Sequence, residues 1–260
     1  MNWELVDWSI IGPAFAAGLL VLSTHVPLGQ EVLKRGIIFI DLAIAQVAGL
    51  GVIAAEGMGG AEQGWKVQAA AVTAALLAAG GLNWTERRWP RQQEALIGIL
   101  FVLAATGGIL LLANNPHGGE HLKDLLVGQI LWSTWQSLVP ITILYAAVLT
   151  VWLPFRQRIG PLGFYITFAF TVTASVQVVG VYLVFACLII PALVTTPLAG
   201  AGRLWTGYGI GGISFLTGIL LSALFDLPTG AVIVWTMAVC GVIAGFILSR
   251  YRKWEIGNGK

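Results

Sequence analysis

The 260-residue sequence has little charge: only 10% of its residues are Asp, Glu, Lys or Arg, whereas soluble domains average about 25%. Hydrophobic residues make up 57% of the chain and the mean hydropathy is +0.85, which excludes a water-soluble globular protein and a disordered chain. Its uncharged runs are long enough to cross a bilayer core of about 30 Å, for which about 20 apolar residues suffice. The sequence therefore predicts an integral membrane protein without a soluble domain.

Motifs for several kinds of chemistry are missing as well. The two cysteines, Cys187 and Cys240, lie in separate apolar runs, so there is no CxxC motif and no disulfide framework. The sequence contains no GxxxxGK[ST] motif, and we expect no ATPase activity from this chain. It also offers no Ser-His-Asp arrangement, no arginine-aromatic surface for nucleic acid and no cofactor fingerprint. We therefore expect neither a bound cofactor nor a nucleic-acid partner.

Clusters of charge divide the chain into hydrophobic segments, which predict membrane-spanning helices. The predicted helices lie near Ser9–Gly29, Gly36–Ala55, Val67–Trp84, Ala95–Ala113, Leu204–Phe225 and Thr229–Ser249, with one or more further helices within Leu125–Phe155. The uncharged stretch between Arg158 and Arg203 has room for two helices with a turn at Gly180. The expected fold is an all-α, polytopic bundle of eight or nine transmembrane helices, forming a single domain over residues 1–260.

The basic residues predict the orientation of the chain, because Lys and Arg in short loops are translocated poorly. With nine crossings and the first turn inside, 12 of the 14 basic residues fall on the inner side. The outer side then holds two basic and seven acidic residues, and such a surface attracts cations. The alternative interpretation is that acidic residues are simply translocated more easily than basic ones, which gives the same asymmetry. We expect a multi-pass protein of the inner (plasma) membrane with its C-terminus in the cytoplasm.

Polar residues inside the apolar segments are functional candidates, since a charge at the bilayer centre costs roughly 2.5–3.5 kcal/mol on insertion scales. Asp41 is the clearest, because its helix has no other ionisable group and Gln46 is the next polar residue. A step of five residues separates the two by about 140° around the helix, so they do not share one narrow face, although both could border a pathway between helices. His25 and Glu31, near the inner end of the first helix, are further pathway candidates or ordinary interfacial residues.

The segment after the fourth predicted helix contains His117, Glu120 and His121. Imidazole and carboxylate groups suit divalent cations such as zinc. The His-x-x-Glu-His spacing is also that of an inverted zinc-hydrolase motif, but that chemistry needs both histidines on one helical face. Pro116 and the two following glycines favour a loop instead. We therefore expect a loop that collects metal transiently, or a solvated polar loop, rather than a hydrolytic site.

Three blocks of the sequence have a recognisable pattern. The first is Pro27–Arg35, the second joins Glu94–Phe101 to Asp124–Leu131, and the third joins Val179–Ala192 to Phe225–Gly230. Together they resemble the permease subunits of metal-ion ABC importers, over most of the chain. The resemblance implies alternating-access import of a divalent metal ion (zinc, manganese or iron), ATP hydrolysis on a separate ATPase subunit, an extracytoplasmic metal-binding protein and a homodimeric permease.

The resemblance also indicates which residues depart from the family pattern. In the second helix of the family, an Asp and a His four residues apart are implicated in the metal path, and these positions hold Leu42 and Gln46 here. Asp41 is displaced by one residue, a rotation of about 100°. Gln129 replaces another Asp of the family. The sequence is thus similar to a divergent branch of the family, in which Asp41, Gln46, His25 and Glu31 are the candidate pathway residues.

The segment after Pro191 is implied by the resemblance to contact the ATPase through a short cytoplasmic helix. This coupling segment runs from about Thr195 to Trp205 and includes Pro197 and Arg203. Pro191 and Pro197 are expected to end the preceding helix and redirect the chain, because proline removes a backbone donor and clashes with the preceding turn. The charge pattern places the same segment on the inner side.

Two other classes of function stay open at this stage. An ion-coupled secondary transporter would carry its energy coupling in intramembrane acids, of which the chain offers essentially one, Asp41. A membrane-embedded metal-dependent enzyme is less favoured, because only His117, Glu120 and His121 support it.

Overall fold

The computed structural model describes residues 8–60, 64–116, 118–155, 158 and 160–258. The regular secondary structure of these residues is all helical, as predicted, with ten α-helices. They are α1 (Trp8–Arg35), α2 (Ile40–Ala55), α3 (Gly64–Arg88), α4 (Gln93–Leu112), α5 (Gly118–Val127), α6 (Trp135–Phe155), α7 (Pro161–Val179), α8 (Val181–Val194), α9 (Gly200–Phe225) and α10 (Thr229–Asn258). A π-helical turn at Glu56–Gly60 and 3-10 turns at Pro90–Gln92 and Ile130–Trp132 lie between them.

Eight of the described helices are long and apolar enough to cross a membrane, namely α1, α2, α3, α4, α6, α7, α9 and α10. The 14 residues of α8 extend only about 21 Å, and the 10 residues of α5 about 15 Å, which is less than the hydrocarbon thickness of about 30 Å. The predicted polytopic helical bundle is thus confirmed, as eight long helices and two short ones in the described chain.

The turn predicted at Gly180 separates α7 from α8. Gly180 has a φ of 78° and packs on Gly128, which has a φ of 74° and follows α5. A Cβ on either glycine would overlap the backbone of the other segment. Only glycine combines this left-handed backbone with so close an approach. The break between α7 and α8 therefore lies against the break that follows α5.

Pro191 does not end α8 as the sequence analysis expected, and Pro27 also lies inside a helix. Helix α1 continues through Pro27 to Arg35, and α8 continues through Pro191 to Val194. A proline leaves the carbonyl four residues earlier without its intrahelical donor. For Pro27 this carbonyl belongs to Ser23, and the Tyr208 hydroxyl of α9 donates to it at 3.1 Å. A neighbouring helix thus satisfies the freed group, as membrane helices require.

The buried centre of the bundle is formed mainly by α1, α2, α7 and α8, whereas α4, α6 and α10 expose most of their apolar side chains. Helix α1 packs on α8 and α9, α2 lies between α3 and α4, and α3 also packs on α7. At Gly29 a Cβ would overlap the carbonyl of Leu188, so α1 and α8 approach as closely as their backbones permit. Small residues allow such approaches in lipid.

The segment expected to be a loop around Glu120 and His121 is instead helix α5. His117 lies outside the described residues. Leu122, Leu125 and Leu126 recur at helical spacing and give one side of α5 an apolar stripe, which packs against α4, α7 and α8. This tertiary packing outweighs the weak helix preference of the two glycines at its start.

Candidate transport pathway

His25 joins two helices inside the bundle. Its side chain in α1 is fully buried, its Nδ1 lies 2.8 Å from the carbonyl oxygen of Val21, and its Nε2 lies 3.1 Å from the hydroxyl of Ser175 in α7. Because a carbonyl oxygen can only accept, we assign a hydrogen to Nδ1. Since α1 ends at Arg35, His25 lies well inside the helix rather than near its end. Both ring nitrogens have protein partners in this structure.

Glu31 belongs to a group of ion pairs where α1 ends, at the side of the bundle that we call the basic end. Its carboxylate lies 3.0 Å from Nε of Arg35 and 3.9 Å from Nζ of Lys34. The Arg35 guanidinium also lies 3.7 Å from Glu86 of α3 and 4.4 Å from the ring centre of Phe164 in α7. Glu31 is thus part of a group that links α1, α3 and α7.

Asp41 lies at the same basic end, in the first turn of α2. Its side chain is 1% exposed, and neither carboxylate oxygen has a hydrogen-bond partner of ordinary geometry among the described residues. The positive end of the α2 dipole favours a negative group at this position. Glu94 of α4 interacts electrostatically with Asp41 and accepts a 3.2 Å hydrogen bond from the Phe39 N–H. Two acidic side chains therefore meet at the start of α2.

Gln46 lines an apolar groove between α2, α4, α5 and α8, which we call the α2 groove. The groove has a volume of about 210 Å³, and its walls include Leu42, Phe101, Leu126 and Tyr182. Leu42 and Gln46 are four residues apart and share this face of α2. Asp41 is not among the residues that line the groove. The structure thus brings Leu42 and Gln46 together and places Asp41 elsewhere.

A cavity lined by four polar and four apolar residues lies at the end of the bundle opposite the basic end, and we call it the amide pocket. It has a volume of about 260 Å³, and its polar side chains are Gln68 of α3, Asp124 of α5, Gln129 and Gln177 of α7. The amides of Gln68 and Gln177 exchange two hydrogen bonds of 2.6 and 2.9 Å. The sequence analysis did not propose this site, although a lone glutamine near the end of an apolar helix, such as Gln177, is a signal that could have found it.

The three residues predicted to collect metal are only partly described. His117 lies outside the described residues, the backbone alone is described for His121, and Glu120 is exposed on α5. Among the described residues, no group of three or more His, Cys, Asp or Glu side chains is arranged to hold a metal ion. A role of these residues in collecting metal stays a prediction.

The predicted coupling segment is a turn followed by the start of α9, rather than a separate short helix. Residues 195–199 connect the helices, and α9 continues without interruption from Gly200 to Phe225. The buried Thr195 hydroxyl donates to the carbonyl of Pro191 at 2.6 Å. Arg203 lies 3.5 Å from the Ala192 carbonyl, near the negative end of the α8 dipole. Pro197 lies in the turn itself.

Both halves of the chain match one family of transport proteins. The ABC 3 transport family matches residues 7–162 and 158–248. The chain belongs to the ABC 3 transport family. This membership confirms the prediction of a membrane permease subunit of a metal-ion ABC importer, and with it the prediction that the chain is not itself an enzyme.

Relatives of this ABC 3 family chain carry names that refer to metal transport. It is 24% identical over 277 residues to the manganese transport system membrane protein MntC of Halalkalibacterium halodurans, over 95% of this chain and 92% of that protein. It is 28% identical over 186 residues to a protein of Haemophilus influenzae named probable iron transport system membrane protein, over 63% of this chain and 68% of that protein.

The fold of the ABC 3 family chain is also found among solved structures. PsaBC from Streptococcus pneumoniae in complex with Fab superposes on it with a TM-score of 0.76 and 20% sequence identity, over 99% of this chain and 100% of the other. At this identity the likeness shows that the two chains share a fold.

Proposed function

We propose that this permease carries a divalent metal ion, manganese, iron(II) or zinc, into the cell through a path between two identical copies of the chain. The match to the ABC 3 transport family across both halves of the chain is the observation that carries the proposal. The names of the relatives MntC and the iron transport protein support manganese and iron as cargo. The metal is substrate, and no resident cofactor is proposed.

Two partner subunits belong to this proposal. The sequence has no phosphate-binding motif, so a separate cytoplasmic ATPase must supply the energy. An extracytoplasmic metal-binding protein delivers the ion to the outer face. The turn at Thr195–Pro197 and the start of α9 at Arg203 form the ATPase contact, because they connect α8 and α9 and lie on the side where the basic residues place the cytoplasm.

The path in this proposal is the α2 groove closed by a second copy of the chain. In one copy the groove is open, and Tyr182 on its wall is 52% exposed. A facing groove would cover these apolar walls and place two Gln46 side chains opposite each other. Permeation needs weak binding at several sites rather than a complete ligand cage, and one amide per subunit agrees with this requirement.

The other three candidate residues, Asp41, His25 and Glu31, do not line the α2 groove and have supporting roles in this proposal. Asp41 is buried and does not line the groove, so we propose that its ionisable carboxyl group acts on the path indirectly, at the start of the helix that carries Leu42 and Gln46. His25 and Glu31 have protein partners, and we assign them to holding α1 against α7 and α3.

Metal uptake by vesicles that contain the complete importer tests the proposed function. The chain is co-reconstituted with the ATPase and the metal-binding protein of its importer, and uptake of Mn²⁺, Fe²⁺ and Zn²⁺ is compared with and without ATP. We expect ATP-dependent uptake of at least one of the three ions. No uptake of any of them by a complex that hydrolyses ATP would contradict the proposal.

An Asp41→Asn variant tests this role of Asp41 within the same assay. We expect a clear fall in the uptake rate, because the substitution removes the ionisable carboxyl group and keeps the size of the side chain. Asp226→Asn is the matched control, since Asp226 is exposed at the other end of the bundle and its left-handed φ of 51° suits Asn. Equal uptake by the two variants would remove Asp41 from the path.

A further inference from the structure

The polar side chains that line the amide pocket offer only oxygen atoms as metal ligands. Its polar side chains are the carboxylate of Asp124 and the carboxamides of Gln68, Gln129 and Gln177. The lining contains no imidazole and no thiol. Carboxylate, carbonyl and water oxygens suit Mn²⁺, Mg²⁺ and Ca²⁺, whereas Zn²⁺ sites are built mostly from imidazole and thiolate.

The paired glutamines hold part of this pocket in place. Gln68 and Gln177 each donate to the amide oxygen of the other, at 2.6 and 2.9 Å, so both side chains have a fixed orientation. An amide oxygen has two lone pairs, and the pair uses one on each oxygen. Each oxygen thus keeps a lone pair for a cation, with little further loss of side-chain freedom on binding.

Two breaks in the helices lie next to the pocket. Gln129 follows Gly128, Gln177 precedes Gly180, and the backbones of the two glycines are in contact. Irregular backbone in a membrane protein is tolerated where it is buried in protein or lines a water-filled cavity. The two breaks thus agree with a water-filled cavity at this end of the bundle.

Size and charge fit a cation that keeps part of its hydration shell. The cavity of about 260 Å³ has room for an ion and several waters, since one water takes about 30 Å³ of the liquid. Asp124 is its one carboxylate, and the basic Lys123 is not among the residues that line it. A single charge with neutral oxygens favours binding that is weak enough to release the ion.

We propose that the amide pocket is a subsite for a partly hydrated Mn²⁺ ion, with Asp124 as its charged ligand and Gln68, Gln129 and Gln177 as neutral ligands. This inference rests on the proposed function, because it makes the pocket the first site that the ion occupies in the permease. It also bears on the cargo, since carboxylate, carbonyl and water oxygens suit Mn²⁺, and the pocket lacks the imidazole and thiolate groups from which Zn²⁺ sites are mostly built.

Mn²⁺ alone is the probe for the test. Binding to the purified full-length chain in detergent is measured from the loss of the six-line electron paramagnetic resonance spectrum of free Mn²⁺. We expect Asp124→Asn to weaken binding by about tenfold or more, which corresponds to about 1.4 kcal/mol. Asp226→Asn makes the same change of charge at the same end of the bundle but outside the pocket, and we expect it to leave binding unchanged.

A variant that is expected to gain affinity distinguishes loss of the site from loss of folding. Gln129→Asp adds a second carboxylate to the pocket, and we expect it to bind Mn²⁺ about tenfold more tightly than the wild-type chain. Equal binding by Asp124→Asn and Asp226→Asn, or no gain in Gln129→Asp, overturns the subsite. The uptake assay in vesicles is scored separately, so ATP-dependent transport with an unaltered affinity in these variants rejects the subsite and leaves the proposed function standing.

Discussion

Leu42 and Gln46 stand at the residue positions that hold an acid and a histidine in the family that the sequence resembles. Both line the α2 groove, while Asp41, one residue earlier, is buried away from it. A rotation of about 100° per residue explains why a displacement by one position changes what a side chain faces. The acid of this helix is therefore not a simple replacement for the missing ligand.

Restoring the acid and the histidine at positions 42 and 46 tests whether the α2 groove can hold a metal ion. We expect Leu42→Asp combined with Gln46→His to tighten Mn²⁺ binding at the α2 groove by at least about tenfold, because an Asp and a His four residues apart face the same cavity. Calorimetric titration of the purified chain measures the affinity. Gln46→His alone is the control, and a double variant that binds no better than this single variant would contradict the assignment of the groove.

Helix α1 shows at the element scale how a membrane helix passes through a proline. The Ser23 carbonyl that Pro27 leaves without a donor accepts from the Tyr208 hydroxyl, so α9 completes the hydrogen bonding of α1. The same contact fixes how α1 and α9 pack. Helix α1 can continue past Pro27 to Arg35 because another helix supplies the missing donor.

The coupling between Pro27 and Tyr208 predicts a non-additive pair of substitutions. Tyr208→Phe removes the donor, and we expect it to lower stability by about 1 kcal/mol because the part-buried carbonyl is left unpaired. In a Pro27→Ala background, the restored backbone N–H supplies the donor, and the same substitution should cost much less. Unfolding of the single and double variants in detergent measures the difference. Equal effects of Tyr208→Phe in both backgrounds would argue against the coupling.

Charge governs the arrangement of the whole molecule in the membrane. Ion pairs and basic residues gather where α1 and α3 end, and the amide pocket with Asp124 lies at the opposite end. The positive-inside rule then places the basic end in the cytoplasm and the amide pocket outside. This orientation stays a prediction, and it agrees with uptake of a cation from the less basic side.

Labelling of single cysteines tests the orientation. We expect a membrane-impermeant thiol reagent to label Asp226→Cys in intact cells and to label Arg88→Cys only after the cells are opened, because the two exposed positions lie at opposite ends of the bundle. The variants are made in a chain without Cys187 and Cys240. Labelling of Arg88→Cys in intact cells would reverse the predicted topology.

The sequence by itself determined the fold class, because apolar runs of about 20 residues have few alternatives to membrane helices. It also determined the family, since the three blocks around Pro27, Glu94 and Pro191 are local patterns. Only the tertiary structure decided that α1 and α8 continue through their prolines, that Gln46 and not Asp41 lines the α2 groove, and that Gln68 meets Gln177. Gln68 and Gln177 are 109 residues apart and Ser23 and Tyr208 are 185 residues apart, and no local pattern specifies which distant side chain completes a hydrogen bond.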